Sequence, residues 1–290
     1  MILVTGATGN YGKATIDFLL KKGISAKSIS ALVRDEAKAE DLKTKGINLK
    51  MGDYDNYSAL LDAFKGVDKL LLVSGSDVAN RAKQQENVVK AAKEAGVKHI
   101  VYTSFERKNN TETSPIAFLA KSHIDTENQI KESGMAYTIL KNNLYLDALP
   151  LFFGAHVLDT GIFLPAGDTK SAFALRNDMA EATANILINE GHENKEYSLS
   201  NTENISLHEI AQDLTEIAGK PINYVSPPQE VYLETLPHAG VPAEYIGMFA
   251  GFAEAIKQGE FLTEKTDLEN LLGRKPTTAK AFLKETYGSN

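Results

Sequence analysis

Short apolar runs alternate with longer mixed stretches through the first half of the chain. The runs at 2–5, 29–33, 49–51, 69–73, 100–103 and 137–140 are almost continuously hydrophobic. That pattern predicts strands buried on both faces, as in a parallel sheet, rather than half-exposed strands that alternate in polarity. Between them, at roughly 10–22, 36–45, 56–64, 77–95 and 115–133, apolar residues recur at helical spacing. Strands alternating with helices predict an α/β fold, here a Rossmann-type doubly wound parallel sheet with helices on both faces. Right-handed crossovers place its ligand groove at the carboxyl ends of the strands. After about residue 150 the pattern loosens, punctuated by Gly154, Gly161, Pro165 and Gly167. A strand-to-helix unit is expected over 172–189, a strand at 196–200, a helix at 206–218 and a strand at 222–225, with helices broken by Gly240 and Pro242 after that. Ser206 and Glu209 have capping-box spacing. We therefore expect a dinucleotide-binding domain over 1–150. A smaller C-terminal α/β lobe is expected over 151–290, including one or two strands that return to the main sheet.

The first strand runs straight into Thr5-Gly6-Ala7-Thr8-Gly9-Asn10-Tyr11-Gly12, and a helical pattern follows at once. Strand, glycine turn and helix in that order form the start of a dinucleotide-binding unit. Gly6 suits a tight turn that a side chain resists. Gly9 allows a pyrophosphate to approach the backbone, and Gly12 allows the helix to pack close to the strand. Helix N-terminal amides then favour phosphate charge. Thr8, Asn10 and Tyr11 add side-chain donors to the same loop. The bland alternative is a glycine turn with nothing bound. The Gly-x-x-Gly-x-x-Gly spacing resembles that of the extended and atypical members of the short-chain dehydrogenase/reductase superfamily.

Composition narrows the chemistry. The chain of 290 residues has no cysteine, which excludes disulfides, thiolate catalysis and cysteine-held metal. No metal site is expected. A net charge of −7 argues against a broad nucleic-acid surface. No apolar stretch is long enough to span a membrane, and Met1 leads directly into a core strand with no signal peptide pattern. A cytoplasmic protein with a small-molecule partner is expected, with a homodimer as an open possibility.

Further candidates stand at the ends of the other strands. Arg34 follows the second strand, where an acid would accept from the ribose hydroxyl of NAD and a base would meet the 2′-phosphate of NADP. Its fork suits a phosphate, so NADP is the expected cofactor; the alternative is a solvated Arg34-Asp35 pair at a helix start. Asp53 follows the third strand and either accepts from the adenine amino group or caps the next helix. Ser74, Gly75 and Ser76 follow the fourth, where small residues let ribose and nicotinamide lie close, or simply form a turn. Ser104 ends the fifth as a substrate-facing hydroxyl or a local backbone partner. Asn142 and Asn143 follow the sixth, as nicotinamide carboxamide partners or as a turn, and Tyr145 is a candidate wall of the acceptor site.

In the reductase pattern a lysine on the helix after the fifth strand binds the nicotinamide ribose, and a tyrosine four residues earlier donates the proton. Lys121 fits the first role, but four residues before it stands Ala117, which cannot ionise. Ketone reduction builds full charge on one oxygen and benefits from an acid. A quinone or a resonance-stabilised dye cation spreads or cancels that charge and needs chiefly a positioned hydride. His123 lies nearby and either faces the pocket or is structural.

Taken together, the glycine run, Arg34, Ser74-Gly75-Ser76, Lys121 with His123–Glu127, and Tyr137–Asn143 resemble the NmrA-like family of atypical short-chain reductases, over nearly the full length. The likeness is greatest to its quinone oxidoreductase and triphenylmethane-dye reductase branch. The resemblance implies a Rossmann domain, a small lobe, a cleft between them, NADPH as cofactor and hydride transfer to an aromatic acceptor. Lys121, His123 and Tyr145 are the catalytic candidates. Because the family also contains regulators, a non-catalytic NADP(H)-sensing protein is the alternative.

Overall fold

The computed structural model describes residues 1–288. The N-terminal half is a run of strand–helix units: β1 (Ile2–Val4), α1 (Asn10–Lys21), β2 (Ile29–Val33), α2 (Glu40–Thr44), β3 (Asn48–Met51), α3 (Tyr57–Phe64), β4 (Lys69–Leu72), α4 (Arg81–Glu94), β5 (His99–Phe105), α5 (Ala117–Glu132) and β6 (Ala136–Asn142). The second half holds α6 (Leu149–Phe153), α7 (Val157–Thr160), β7 (Ile162–Phe163), α8 (Arg176–Ile188), β8 (Lys195–Leu199), α9 (Leu207–Ala218), β9 (Tyr224–Val225), α10 (Gln229–His238), α11 (Ala243–Lys257), α12 (Leu268–Leu272) and α13 (Ala279–Tyr287).

Seven strands form one parallel sheet in the order β3-β2-β1-β4-β5-β6-β8. Every residue of β2 and of β5 is buried, which explains their unbroken apolar runs. Polar residues at the ends of β5 and β6 conceal their true length. Pairing continues through Ser104 with Lys141 and Phe105 with Asn142, beyond the apolar stretches that mark these strands in the sequence. From the second half, β8 returns to the sheet beside β6, and α8 packs beside α1. The strand expected at 222–225 shortens to β9, which pairs with β7 instead of joining the main sheet. The strand expected near residue 172 is reduced to isolated bridges, Tyr145 with Ala174 and Ser171 with Ile205. The capping box is present: Ser206 Oγ accepts from the Glu209 amide at 3.1 Å, and the Glu209 carboxylate accepts from the Ser206 amide at 2.8 Å.

Order reverses between β1 and β4, since the chain builds β2 and β3 on one side before crossing to the other. A crevice therefore opens at the carboxyl ends of β1 and β4. The turn after β1 is built for close approach. Gly6 has φ +56°. A side-chain carbon placed on Gly12 would lie 2.4 Å from the Gly6 carbonyl oxygen and 3.0 Å from that of Thr5. Neither backbone oxygen can yield cheaply. Gly12→Ala should therefore lower stability by about 1–3 kcal/mol, the usual cost of overpacking, and weaken dinucleotide binding with it. Denaturant titration and calorimetry on the same variant check both; an unchanged midpoint would show that α1 is free to shift.

Candidate active site

The crevice is a cleft of about 620 Å³ lined by Gly6, Thr8–Tyr11, Leu32–Arg34, Gly52–Asp55, Val73–Asp77, Arg81, Gln84, Tyr145 and Arg176. That volume lies within the range of small-molecule and cofactor sites. Its floor is the N-terminus of α1. The amides of Asn10, Tyr11 and Gly12 bond no described residue, and no side chain caps this helix. Three free amides at the positive end of a twelve-residue helix suit an anion.

At one end of the cleft Arg34 extends from the tip of β2. Its side chain is 80 % exposed, with the Asp53 carboxylate 3.9 Å away. Thr8, Arg34, Asp35 and Lys38 border a second recess beside it. Asp35 also caps the following turn through the Ala37 amide at 3.0 Å. The donor set fits an NADP adenosine end, with an exposed guanidinium, only loosely paired with Asp53, for the extra phosphate and that carboxylate close by.

Toward the other end, Ser74, Gly75 and Ser76 line the cleft after β4. Tyr54 closes one wall, its hydroxyl donating to the Val73 carbonyl at 2.9 Å. Tyr145 closes another. Its ring lies 6.4 Å from that of Tyr11 and 4.4 Å from the Arg176 guanidinium, which is itself held to Asp147 at 2.8 Å. Asn142 donates to the Tyr145 hydroxyl at 3.2 Å, and its own side-chain oxygen has no partner among the described residues. Burial raises the Tyr145 hydroxyl above its ordinary pKa, with the Asn142 hydrogen bond opposing. The phenol is thus protonated at neutral pH and a poor source of protons.

Five of the sequence candidates do not line this cleft: Asn142, buried behind Tyr145 and bonded to its hydroxyl, and Lys121, Ser104, Asn143 and His123. Lys121 projects outward, 67 % exposed and paired with Asp125 at 3.2 Å. The inward face of α5 carries Leu119, His123, Thr126 and Ile130. Lys121 is two residues from His123, about 200° around the helix, so it cannot share that face. Ser104 donates to Glu127, which is buried and clamped by Arg107 through Nη1 at 3.1 Å and Nη2 at 2.9 Å. Asn143 is spent on structure: its amide nitrogen donates to Ser200 and to the Phe261 carbonyl at 2.9 and 3.1 Å. His123 lies behind the cleft. Its Nδ1 meets the Tyr102 hydroxyl at 2.7 Å and its Nε2 meets Arg81 Nη1 at 3.4 Å. Burial, with Arg81 and Arg107 adding to it, holds this imidazole well below the usual histidine pKa. A neutral ring whose Nε2 accepts from Arg81 carries its proton on Nδ1 and donates to Tyr102.

Sequence reasoning missed Arg81, Arg176 and Tyr54 as cleft residues. For Arg81 there was a signal. Gln84, Gln85, Val88, Val89 and Ala92 form the buried face of α4, and stepping back from Val88 by seven lands on Arg81. A cation at a core-facing position is unusual unless it serves something.

The sheet order and the glycine-turn cleft define a dinucleotide-binding α/β protein. The NmrA-like family model matches residues 1–283, and this chain belongs to the NmrA-like family. It is 37 % identical over 291 residues to quinone oxidoreductase 2 of Escherichia coli (strain K12), covering all of both chains. The crystal structure of the NADPH-dependent quinone oxidoreductase from Escherichia coli in complex with NADPH superposes with a TM-score of 0.93 at 36 % identity, covering 99 % of this chain and 100 % of that one. The triphenylmethane reductase of Citrobacter sp. in complex with NADP(H) gives 0.90 at 36 % identity over 98 % and 99 %. Among the described residues no helix is long and apolar enough to cross a membrane.

The Ser104–Glu127–Arg107 tie carries its own prediction. Arg107→Met leaves a buried carboxylate without its cation, a loss of about 3–5 kcal/mol. Urea denaturation should show that loss, and Arg107→Met with Glu127→Gln together should recover part of it. A loss below about 1 kcal/mol for the single variant would mean that water reaches Glu127.

Proposed function

We propose that this chain binds NADPH along the cleft and reduces a quinone-like or dye-like aromatic acceptor by hydride transfer. The observation that carries the proposal is the pairing of three unbonded amides at the start of α1 with an exposed arginine at the tip of β2, at the two places where NADPH differs most from a neutral ligand. Bound there, NADPH supplies the hydride from its nicotinamide ring. The chain's part is to bind, orient and enclose. Gly6, Thr8, Gly9, Asn10 and Tyr11 cradle the pyrophosphate. Arg34 holds the 2′-phosphate, and Asp53 accepts from the adenine amino group. Ser74, Gly75 and Ser76 lie along the nicotinamide ribose. Asn142 fixes Tyr145 as one wall of the acceptor end. Residues 1–150 carry the cofactor in this reading. The lobe built chiefly from 151–290 closes the acceptor end, with α8 and β8 returned to the main sheet. The setting we propose is the cytoplasm, where NADPH is regenerated.

Among the described residues Tyr145 is the phenol at the acceptor end, and burial makes it a weaker acid than usual, which favours acceptors whose reduction needs little proton donation at the moment of transfer. The test is NADPH consumption at the nicotinamide absorbance band with a panel of quinones and cationic dyes. Turnover of none of them, with cofactor binding intact, would sink the reductase reading.

Cofactor choice gives a sharper expectation. A charge-assisted contact contributes about 1.5–3 kcal/mol, so Arg34→Ala should weaken NADPH roughly 10- to 150-fold and leave NADH nearly unchanged. Lys121→Ala should alter neither, because its ammonium is turned from the cleft and engaged with Asp125. Calorimetry on the two variants decides: equal losses for both cofactors in Arg34→Ala would remove the arginine from the phosphate, and a marked loss in Lys121→Ala would show that α5 turns on binding.

A further inference from the structure

Three arginines line the cleft, and their charges are handled differently. Arg34 has Asp53 at 3.9 Å and Arg176 has Asp147 at 2.8 Å. Arg81 forms no salt bridge with a described residue, although it is buried among them. Its Nε donates to the Gly75 carbonyl at 2.6 Å, and Nη1 meets the neutral His123 ring at 3.4 Å. Nη2 bonds no described residue. Gln85 braces the assembly: its amide nitrogen donates to Tyr102 at 3.1 Å and to Thr126 at 2.7 Å, while its oxygen accepts from the Gly75 amide at 3.4 Å. Its hydrogen-bond partners are all neutral, and the Asp77 carboxylate at the mouth of the same cleft acts on it through space without forming a salt bridge, so the guanidinium remains open to an anion that enters the cleft.

Its position selects the ligand. Arg34 and the glycine loop serve the adenosine and pyrophosphate. Arg81 sits on the opposite half, tied to the turn after β4 and, through His123 and Tyr102, to α5 and β5. We propose that Arg81 is the acceptor-side cation of this cleft, binding an oxygen that gains negative charge on reduction and disfavouring acceptors that are already cationic. This rests on the reductase reading given above. For a quinone, hydride brings two electrons and one proton to the acceptor, leaving a hydroquinone monoanion that takes its second proton from solvent. The overall change is quinone + NADPH + H⁺ to hydroquinone + NADP⁺. Arg81 stabilises that monoanion. For a cationic triphenylmethyl dye, hydride joins the central carbon, the positive charge is discharged and no further proton is taken up. There Arg81 repels the incoming cation, and although hydride transfer relieves that repulsion, no oxygen anion forms for it to stabilise. His123 and Tyr102 act as positioning residues, because a neutral imidazole aims the guanidinium without competing for its charge.

The test compares wild type, Arg81→Met and Arg81→Lys. One arm measures kcat/KM for a neutral benzoquinone and for a cationic triphenylmethane dye at saturating NADPH. The other measures, by calorimetry, the binding of a nitrophenolate to the NADP⁺-loaded protein as a mimic of the hydroquinone monoanion. In Arg81→Met the quinone value should fall about 10- to 100-fold, the scale of one charge-assisted hydrogen bond. The dye value should hold or rise, nitrophenolate should weaken by a similar factor, and the KM for NADPH should stay within about twofold of wild type. Arg81→Lys keeps the charge but cannot hold Gly75, His123 and the acceptor at once, so it should fall between wild type and Arg81→Met. If Arg81→Met does not fold, the same comparison in Arg81→Lys stands in its place. An unchanged quinone-to-dye ratio with unchanged nitrophenolate affinity would overturn the inference, as would an effect confined to NADPH. Should the wild type reduce neither acceptor, the reductase reading falls, and nitrophenolate binding alone still decides whether Arg81 is the anion partner.

Discussion

The contact on which the cleft depends is between two stretches of backbone. At Gly12 the first turn of α1 rests against the carbonyls of Thr5 and Gly6 so closely that one added carbon has nowhere to go. That contact sets α1 at the end of β1 and leaves the amides of residues 10–12 facing the crevice. The sheet order does the rest. With β2 on one side of β1 and β4 on the other, the turns after all three strands open toward the same space. A glycine without side chain thus fixes where the phosphate-binding amides stand, and the topology fixes what stands around them.

Polar groups behind the cleft are arranged so that few charges are left over. Glu127 is neutralised by Arg107 and further tied by Ser104. Glu260 accepts from the amides of Lys108 and Asn109 at 2.8 and 2.9 Å and so pins the loop after β5. Asp178, buried at the start of α8, accepts from Arg274 at 2.7 Å and from the Thr277 amide at 2.6 Å, joining the C-terminal segment to the main sheet's helical layer. Each buried carboxylate has its partner, as the cost of an unpaired buried charge requires. Against that background Arg81 stands out: it is buried, yet no carboxylate among the described residues forms a salt bridge with it.

The parallel sheet was legible because buried strands write themselves as apolar runs, and the glycine turn was legible because its geometry tolerates few residues. Arg34 could be placed because a strand tip has one direction to point. Side chains on helices were harder. Lys121 was matched by its distance along the chain, yet a helix presents a different face at each step, and the buried stripe of α5 passes through Leu119, His123, Thr126 and Ile130 instead. Ser104 and Asn143 occupy strand ends beside the cleft, but each meets a buried partner brought from far away in sequence, Glu127 in one case and Ser200 with Phe261 in the other. No local pattern announces such a partner. Nor does one announce that β8 crosses back beside β6 while β9 does not.

The orientation of α5 also changes what the missing tyrosine means. Positions 117 and 121 lie one turn apart on one side of the helix, and with Lys121 turned to solvent that side does not line the cleft. A tyrosine at 117 would fall on the same side, whatever its acidity. The face of α5 turned toward the interior carries His123 instead, whose ring meets Arg81, the cation proposed above for the acceptor side. In place of an acid that gives up a proton, the cleft offers a fixed positive charge. A fixed charge stabilises an oxygen anion after the hydride has arrived and leaves its protonation to solvent, which suits an acceptor whose reduced form is a stable, delocalised anion. A simple ketone yields a strongly basic alkoxide and needs the proton in the same step. The geometry of one helix face thus separates the two classes of acceptor.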